Sequence, residues 1–340
     1  MKFTESQRAA LNRLISSYQI DADLSPIHHF FKPAGRAAIL INTSDFLVSK
    51  EIALPELLKI INLPIKIYGS RTNTLITQEG FNGIFVIDEQ SLEDGLFIDR
   101  QKNEITCEAA LPLVTLVKRA CEAGFNLGAL AGIPGTVGAA VYGNAGAGNT
   151  NRFIGDFVKE IEVINLKTNI KENIIPGKGY FLMRWSGLQK LNERTTSYYI
   201  SKIKLEPEFI GAEKALSIFN ERIKYRATVN IEGFTHGTAG SFWANRELPE
   251  DFKQNNPGIK IRDLIVKADL DKLNINGAHY TENYLFLATE KQTTDSDVAK
   301  LLDSTVQTLQ SKFGITPHKE VEILSANGAI TVEEYIQRYQ

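Results

Sequence analysis

The chain has 340 residues, with 38 Lys and Arg against 40 Asp and Glu, so its formal net charge is −2. Domains of roughly 100–200 residues predict two or three of them in this length. The near-neutral balance disfavours non-specific nucleic-acid binding, which needs a basic surface. Only two cysteines are present, Cys107 and Cys121, too few for a disulfide scaffold or a four-cysteine zinc site.

No apolar run approaches the ~18–20 residues of a membrane span. The first residues lack the uninterrupted apolar core of a signal peptide. The histidines show no metal-ligand spacing, so we expect no metal. Together these patterns predict a soluble cytoplasmic protein without nucleic-acid or membrane partners, and we expect a monomer.

In chain order, residues 5–18 place apolar side chains at three- and four-residue spacings, which predicts a short amphipathic helix. Two further helices are predicted, one from Pro112 to a stop at Gly124 and one over 295–313, with Thr294 as N-cap and Gly314 as stop. Short β-branched and aromatic runs predict strands. These strands lie at 65–68, 83–88, 105–109, 161–166, 198–205, 284–289 and 321–324.

Strands outnumber helices and alternate with them irregularly, which favours an α+β fold over a doubly wound parallel sheet. A break near residues 206–235 suits a domain boundary. The compositional outlier is the stretch 132–148, with six glycines in seventeen residues.

This glycine-rich stretch begins Gly132-Ile133-Pro134-Gly135-Thr136-Val137-Gly138. Such a run lets backbone approach a ligand closely and presents N–H groups to anionic oxygens. It is neither a Walker A loop nor a Rossmann fingerprint, because the Lys-Ser/Thr pair and the strand–helix context are missing. The alternative is a tightly packed crossover that binds nothing.

A second candidate is the small, polar turn 68–75 that follows the apolar strand from Ile65. Its backbone N–H groups and hydroxyls suit a pyrophosphate, and the alternative is an ordinary turn between strands.

A third candidate is the run 238–245, which holds Ser241 between glycine and aromatic residues. Without a nucleophile elbow, Ser241 suits a proton donor better than a nucleophile; the alternative is a buried structural serine.

The fourth candidate is the segment His318-Lys319-Glu320-Val321-Glu322-Ile323. Alternation along a strand predicts that Glu320 and Glu322 share a face. The alternative is a charged strand face in solvent.

Taken in this order, the four segments resemble the UDP-N-acetylenolpyruvoylglucosamine reductase family, also called UDP-N-acetylmuramate dehydrogenase or MurB. The resemblance covers residues 27–328 and is most specific in the glycine-rich run. It implies a two-part FAD-binding unit of the p-cresol methylhydroxylase/vanillyl-alcohol oxidase type and a smaller C-terminal α+β substrate domain. The expected bounds are 1–26 for a leader helix, 27–205 for the FAD unit (lobes 27–90 and 91–205), 206–328 for the substrate domain and 329–340 for a tail.

The resemblance further implies that NADPH donates hydride and FAD carries it to the enolpyruvyl group of UDP-N-acetylglucosamine-enolpyruvate. The product would be UDP-N-acetylmuramate for peptidoglycan synthesis. Ser241 matches the family's proton donor, Arg184 the arginine that polarises the substrate carboxylate, and Glu320 its paired glutamate. Arg226 and Asn245 match substrate contacts. The residues expected around FAD are Tyr68, Gly69, Ser70, Arg71, Thr72, Asn73, Thr74, Pro134, Gly135, Gly138, Ala139, Ala140, Asn144 and Gly146.

The chain departs from the family pattern in the segments 183–190 and 261–266 and at four single positions. Arg71 stands where the family has glycine, Val229 where it has lysine, Glu322 where it has arginine, and Gly148 where it has an aromatic residue. The catalytic trio is therefore matched while the substrate contacts differ. Two alternatives stay open, a related flavoprotein oxidoreductase with another substrate, and a flavin- or sugar-nucleotide-binding protein without turnover.

Overall fold

The computed structural model describes residues 3–25, 34–89, 95–147, 151–235, 237–244, 248–281 and 286–340. The helices are α1 (Glu5–Leu14), α2 (Lys50–Ile61), α3 (Leu113–Glu122), α4 (Val137–Tyr142), α5 (Gly187–Leu191), α6 (Ala212–Thr235), α7 (Glu250–Asn255), α8 (Ile261–Lys267), α9 (Asp295–Phe313) and α10 (Val332–Tyr339).

The strands are short and follow one another along the whole chain. They are β1 (Gln19–Asp23), β2 (Arg36–Asn42), β3 (Ile65–Tyr68), β4 (Thr74–Ile76), β5 (Phe81–Ile87), β6 (Leu96–Asp99), β7 (Glu104–Glu108), β8 (Gly146–Ala147), β9 (Arg152–Phe153), β10 (Val158–Asn165), β11 (Ile170–Ile174), β12 (Phe181–Leu182), β13 (Trp185–Ser186), β14 (Tyr198–Leu205), β15 (Gly237–Ser241), β16 (Asn274–Ile275), β17 (Ala278–Tyr280), β18 (Phe286–Thr289), β19 (Glu322–Ser325) and β20 (Gly328–Ile330). The α+β class expected from the sequence is confirmed.

Helix α9 has the clearest start and stop signals in the sequence, and its predicted ends are confirmed. Thr294 accepts a hydrogen bond from the backbone N–H of Asp297, whose carboxylate accepts from the Thr294 N–H in return. This capping box satisfies two N–H groups that the first helical turn leaves without partners. Gly314 ends the helix at φ 67°, a left-handed conformation that glycine adopts without strain.

The predicted strands are found, with two differences. The strand expected at 321–324 begins at Glu322, so Glu320 lies in the bend before it and the expected shared strand face does not form. Residues 284 and 285 of the strand expected at 284–289 lie outside the described residues. The leader also forms more than a helix, because β1 pairs beside β2 in a sheet.

The break expected near 206–235 is largely the 24-residue helix α6. Its buried face starts with Ala215 and Phe219 but continues with Arg222 and Arg226. Because two arginines interrupt the apolar pattern at helical spacing, the periodicity that marks a helix is hidden in the sequence.

The chain divides into two compact units. Unit 1 comprises residues 1–22, 37–70 and 82–228, and unit 2 comprises 23–36, 71–81 and 229–340. The domain bounds expected from the sequence remain predictions.

Unit 1 holds a four-stranded sheet of order β1-β2-β5-β3 and a five-stranded sheet of order β11-β10-β14-β7-β6. Strands β3 and β5 pair in parallel, and β10 pairs antiparallel with β11 and β14. One apolar core forms around α1, α2 and the first sheet, and another around α3, α4 and the second sheet. The turn after β3 and the glycine-rich segment around α4 are therefore each held against a core.

Unit 2 holds a four-stranded sheet of order β15-β18-β17-β16 and a three-stranded sheet of order β20-β19-β4. Strand β4 pairs in parallel with β19, from Thr74 opposite Glu322 to Ile76 opposite Leu324. Its core gathers the apolar faces of α8, α9 and α10. Tyr335 of α10 is fully buried, so the expected C-terminal tail is packed structure.

Candidate active site

The first half of the turn expected to hold FAD lies in unit 1, directly after β3. Tyr68 ends this strand and stacks on Phe85 with ring centroids 4.9 Å apart. A Cβ atom added to Gly69 would lie 2.3 Å from Oγ1 of Thr136. The backbone of the turn at Gly69 therefore packs against the side chain of Thr136 in the glycine-rich segment, at a distance that only glycine permits.

This contact brings together the two segments expected to hold the FAD pyrophosphate. A narrow approach of backbone, free of bulky side chains, is what a pyrophosphate cradle requires. The residues present therefore fit the cofactor in unit 1. Ser70 follows in the same turn and is half-buried.

The second half of the turn lies in unit 2. Arg71 has a left-handed backbone with φ 57°. The Nδ2 atom of Asn73 donates to the carbonyl oxygen of Glu320 at 3.1 Å, and the Asn73 carbonyl accepts from the N–H of Glu322 at 3.1 Å. Thr72 is half-buried, and Thr74 is buried in β4. This second half of the turn is thus fixed to the segment that carries the expected catalytic glutamate.

The glycine-rich segment runs through a loop into α4. Pro134 and Gly135 lie in the loop, where the Gly135 carbonyl accepts from the N–H of Leu113 at 2.9 Å. The helix begins after Thr136, whose hydroxyl accepts from the N–H of Ala139. Gly138, Ala139 and Ala140 form its first turns, and Asn144 and Gly146 follow it.

Arg184 lies at the tip of the hairpin β12–β13, with a left-handed φ of 59°. The side chain of Asn144 donates to the Leu182 carbonyl at 2.7 Å and accepts from the N–H of Gly155 at 2.9 Å. The hydroxyl of Ser186 donates to the carbonyl of Tyr142 at 2.7 Å. Both legs of the hairpin are therefore anchored to the C-terminal end of α4.

Arg226 lies in the same unit, on α6, and is half-buried. Burial, together with the neighbouring Arg222 and Arg184 cations, lowers the pKa of Arg226 to about 10. Three arginines thus share one region of unit 1. Sequence reasoning identified Arg184 and Arg226 but missed Arg222, for which the available signal was an i, i+4 pair of like charges on one helix face.

Ser241 and Glu320 are neighbours within unit 2. Ser241 ends β15, is exposed, and pairs with Phe286 of β18. The next residue, Phe242, accepts from the backbone N–H of Glu320 at 2.6 Å. The backbones of Trp243 and Lys319 form an antiparallel β-bridge. The segment after Ser241 is therefore paired in antiparallel fashion with the segment of Glu320.

The expected site residues thus form one group in each unit. Arg184, Arg226 and the glycine-rich segment lie in unit 1, and Ser241, Glu320 and the 71–74 half of the turn lie in unit 2. Asn245 and Gly148 lie outside the described residues. The described residues contain no group of three or more His, Cys, Asp or Glu side chains that could hold a metal ion. No helix in the described ranges combines the length and apolar character needed to cross a membrane.

Comparison with known proteins gives matches along most of the chain. Residues 47–172 match a family model described as an FAD binding domain. UDP-N-acetylenolpyruvoylglucosamine reductase from Bacillus subtilis (strain 168) is 27% identical over 303 residues, covering 88% of this chain and 92% of the relative. The Thermotoga maritima enzyme of the same name is 29% identical over 303 residues, covering 87% and 95%.

The fold also matches a solved structure. The UDP-N-acetylenolpyruvylglucosamine reductase (MurB) of Thermus caldophilus superimposes with a TM-score of 0.64 at 21% sequence identity, covering 90% of this chain and 98% of that one. At this sequence identity the superposition shows a shared fold and nothing about activity. Relatives of one name along most of the sequence, the FAD-binding-domain match and this fold together support a protein of the UDP-N-acetylenolpyruvoylglucosamine reductase (MurB) family.

Proposed function

We propose that this protein is an FAD-dependent reductase that uses NADPH to convert UDP-N-acetylglucosamine-enolpyruvate to UDP-N-acetylmuramate in peptidoglycan synthesis. The observation that carries the proposal is the hydrogen bond from the Glu320 N–H to the Phe242 carbonyl, 2.6 Å long. It pairs the backbone next to Ser241 with that of Glu320 in unit 2, and this pairing supports a shared role for two residues that lie far apart in the sequence.

FAD, when bound between the Gly69 turn and the glycine-rich segment, supplies the hydride chemistry that side chains lack. Ser241 has the second task, which is to give a proton from its Oγ atom to C2 of the reduced enolpyruvyl group. A hydroxyl is a weak acid near pH 7, so it protonates only a strongly basic carbon. The exposed position of Ser241 at the end of β15 leaves its hydroxyl accessible to a substrate.

Arg184 would stabilise the charge that develops on the substrate carboxylate. A planar guanidinium presents parallel N–H donors that match a carboxylate, and it stays charged at any physiological pH. Its place on an anchored hairpin fixes the donors before the reaction begins, which is the main requirement of electrostatic catalysis. Glu320 would orient the substrate through its carboxylate.

The proposal places the reaction in the cytoplasm. Cys107 and Cys121 are free and buried, and burial raises the pKa of their thiols to about 12 and about 11. Two unpaired, unreactive thiols suit a reducing compartment. We further propose that the enzyme acts as a monomer, because both groups of expected site residues belong to one chain.

An anaerobic absorbance titration tests the function. Oxidised flavin absorbs at about 450 nm, so NADPH should bleach this band and UDP-N-acetylglucosamine-enolpyruvate should then restore it. Bleaching without recovery would identify a flavoenzyme with another substrate. A protein that binds flavin without being reduced would be a binding protein.

The Ser241→Ala variant separates the two half-reactions. We expect bleaching by NADPH at the wild-type rate and recovery with the enolpyruvyl substrate slowed by about 100-fold or more, because the proton donor is removed. Ser311→Ala, at an exposed position of α9 in the same unit, is the control and should leave both rates unchanged. Equal losses in the two half-reactions would contradict the proton-donor role.

A further inference from the structure

One face of α6 changes from apolar to cationic along its length. Ala215, Phe219, Arg222 and Arg226 follow at spacings of four, three and four residues, which places them on one side of a helix. Ala215 is fully buried and Phe219 packs against the apolar core of unit 1. Arg222 continues this stripe and is 6% exposed. A cation therefore occupies a position where the pattern calls for an apolar side chain.

The buried edge of the Arg222 guanidinium finds no hydrogen-bond acceptor in the part of the chain that the structure describes. Neither its Nε nor its Nη2 atom finds a hydrogen-bond acceptor among the described residues, and the Nε atom of Arg226 lacks one as well. The face of the Arg222 guanidinium is covered by the Tyr225 ring, 4.7 Å from Cζ to the centroid. The Nε and Nη2 groups form the fork that binds two oxygens of a carboxylate or phosphate.

The region is built to hold the two arginines closely. A Cβ atom added to Gly132, at φ 73°, would lie 2.9 Å from Cγ of Arg226, so only glycine leaves room for this side chain. Arg184 belongs to the same unit, and its charge contributes, after burial and Arg222, to the lowered pKa of Arg226. No carboxylate of the described residues forms an ion pair with Arg222 or Arg226. Buried N–H groups without acceptors are costly, and a bound anion would satisfy them.

We propose that Arg222, together with Arg226, binds a phosphate oxyanion of a nucleotide ligand, and that Arg222 is a specificity-determining residue of this chain. The two neighbouring guanidinium groups of Arg222 and Arg226 suit a phosphate group better than a single carboxylate, which would neutralise only one of them. The choice of a nucleotide rests on the proposed function, in which the diphosphate of the sugar nucleotide and the 2′-phosphate of NADPH both supply this chemistry.

Binding to the FAD-loaded protein tests the proposal, with dissociation constants from calorimetry for UDP, uridine, NADP⁺ and NAD⁺, of which the last two cannot reduce the flavin. Arg222→Met should weaken binding of a phosphate-bearing ligand by about 10- to 100-fold, the usual effect of losing charge-assisted hydrogen bonds. A loss for UDP but not uridine identifies the diphosphate. A loss for NADP⁺ but not NAD⁺ identifies the 2′-phosphate.

Two further variants make the result specific. Lys224→Met removes one cation from an exposed position of the same helix and should leave all four dissociation constants within about twofold. Arg222→Lys keeps the charge without the fork, so its affinity should fall between those of the wild type and Arg222→Met.

Thermal unfolding without ligand distinguishes binding from packing. An unpartnered buried guanidinium destabilises the free protein, so Arg222→Met should melt at the wild-type temperature or above it. Unchanged affinity for every phosphate-bearing ligand would overturn the proposal, whether or not the melting temperature falls. The dissociation constants and the melting temperatures can both be measured without catalytic turnover. A wild-type protein that ignores the enolpyruvyl substrate, yet loses nucleotide affinity with Arg222, would contradict the proposed reaction and leave this inference standing.

Discussion

Three of the residues expected at the site adopt a left-handed backbone without being glycine. The φ angles are 57° at Arg71, 59° at Arg184 and 44° at Asn144. Asparagine tolerates this conformation, whereas for an arginine it costs roughly 1–2 kcal/mol. Strain of this kind persists where the surroundings determine the backbone, and it concentrates at functional sites. Arg71 is the more informative case, because the family resemblance places glycine there.

Arg71→Gly should distinguish the effect of the strained backbone on stability from the effect of the guanidinium on FAD binding. Glycine relieves the strain but adds freedom to the unfolded chain, so we expect the free energy of unfolding to rise by no more than about 1 kcal/mol. If the guanidinium contacts the FAD pyrophosphate, the dissociation constant for FAD should increase by about tenfold or more. Urea unfolding of the apoprotein and flavin fluorescence measure the two quantities.

Arg71→Ala is the matched control, because alanine keeps the left-handed strain and loses only the guanidinium. Both variants should lose the same FAD affinity if the side chain is a ligand. Tighter binding by either would identify Arg71 as an obstruction to the cofactor.

Among the elements, the hairpin β12–β13 depends most on contacts from elsewhere. Each of its strands has two residues, too few to be stable alone. Asn144 bonds to Leu182 in one strand, and Ser186 in the other strand bonds to Tyr142. The side chain of Gln189, just beyond, also donates to the Tyr142 carbonyl, at 3.2 Å. Arg184 is therefore positioned by the end of α4.

Asn144→Asp tests Asn144 as a positioning residue. Aspartate tolerates the left-handed backbone and still accepts from Gly155, but it directs a carboxylate oxygen at the Leu182 carbonyl in place of a donor. We expect a loss of about 1–3 kcal/mol in the free energy of unfolding. Flavin reoxidation by the enolpyruvyl substrate should slow more than flavin reduction by NADPH, which stopped-flow absorbance resolves.

Asn165→Asp makes the same chemical change at the last residue of β10, where the Asn165 amide donates to the Tyr198 hydroxyl at 3.1 Å. It should alter stability without changing the ratio of the two half-reactions. A shift of that ratio in Asn165→Asp as large as in Asn144→Asp would remove the positioning role.

The elements that the sequence predicts well are those with local causes. Helix α9 has a capping box at one end, a glycine at the other and an apolar stripe between them, and its ends are predicted to the residue. Helix α6 lacks these signals because arginines stand on its buried face. The anchors of Arg184 could not be predicted, since side-chain bonds from Asn144 to Leu182 depend on tertiary structure and leave no periodic pattern.

Across the whole molecule, the two units draw on distant parts of the chain. The parallel pair β4–β19 joins Leu75 to Ile323, so residues 71–81 complete a sheet whose other strands are C-terminal. Such pairings carry a high loop-closure entropy and form late. The family motifs indicated which residues belong to the site. They could not indicate that the turn after β3 is divided, with Gly69 and Ser70 in unit 1 and Arg71 in unit 2.

A second long-range link in unit 2 is the buried carboxylate of Asp295, at the start of α9. It accepts from the N–H of Gln78 at 2.7 Å and from the hydroxyl of Tyr335 at 2.8 Å. Burial nevertheless outweighs these bonds and raises the pKa of Asp295 from 3.8 to about 6. The folded state therefore binds this proton more tightly than the unfolded state.

This shift predicts how the stability of unit 2 depends on pH. Because the folded pKa is the higher one, the stabilisation is complete below about pH 4 and is lost as pH rises through about 6, a decrease of about 3 kcal/mol. Asp295→Asn should remove this decrease, since an amide accepts from Gln78, donates to Tyr335 and does not titrate. In a Trp185→Phe background the fluorescence of buried Trp243 reports on urea unfolding of unit 2.

Asp297 provides a control of opposite sign two residues away. Burial opposes its ionisation, but hydrogen bonds from Thr294 and Asn276 outweigh burial and lower its pKa. Its stabilisation is therefore present at neutral pH and is lost as pH falls through the lowered pKa. We compare the free energy of unfolding of each variant with that of the wild type at the same pH. For Asp297→Asn this difference should be a clear loss at pH 7 and a small one at pH 3. For Asp295→Asn the variant should compare less favourably with the wild type at pH 4 than at pH 7. Parallel pH profiles for the two variants would show that Asp295 does not bind a proton on folding.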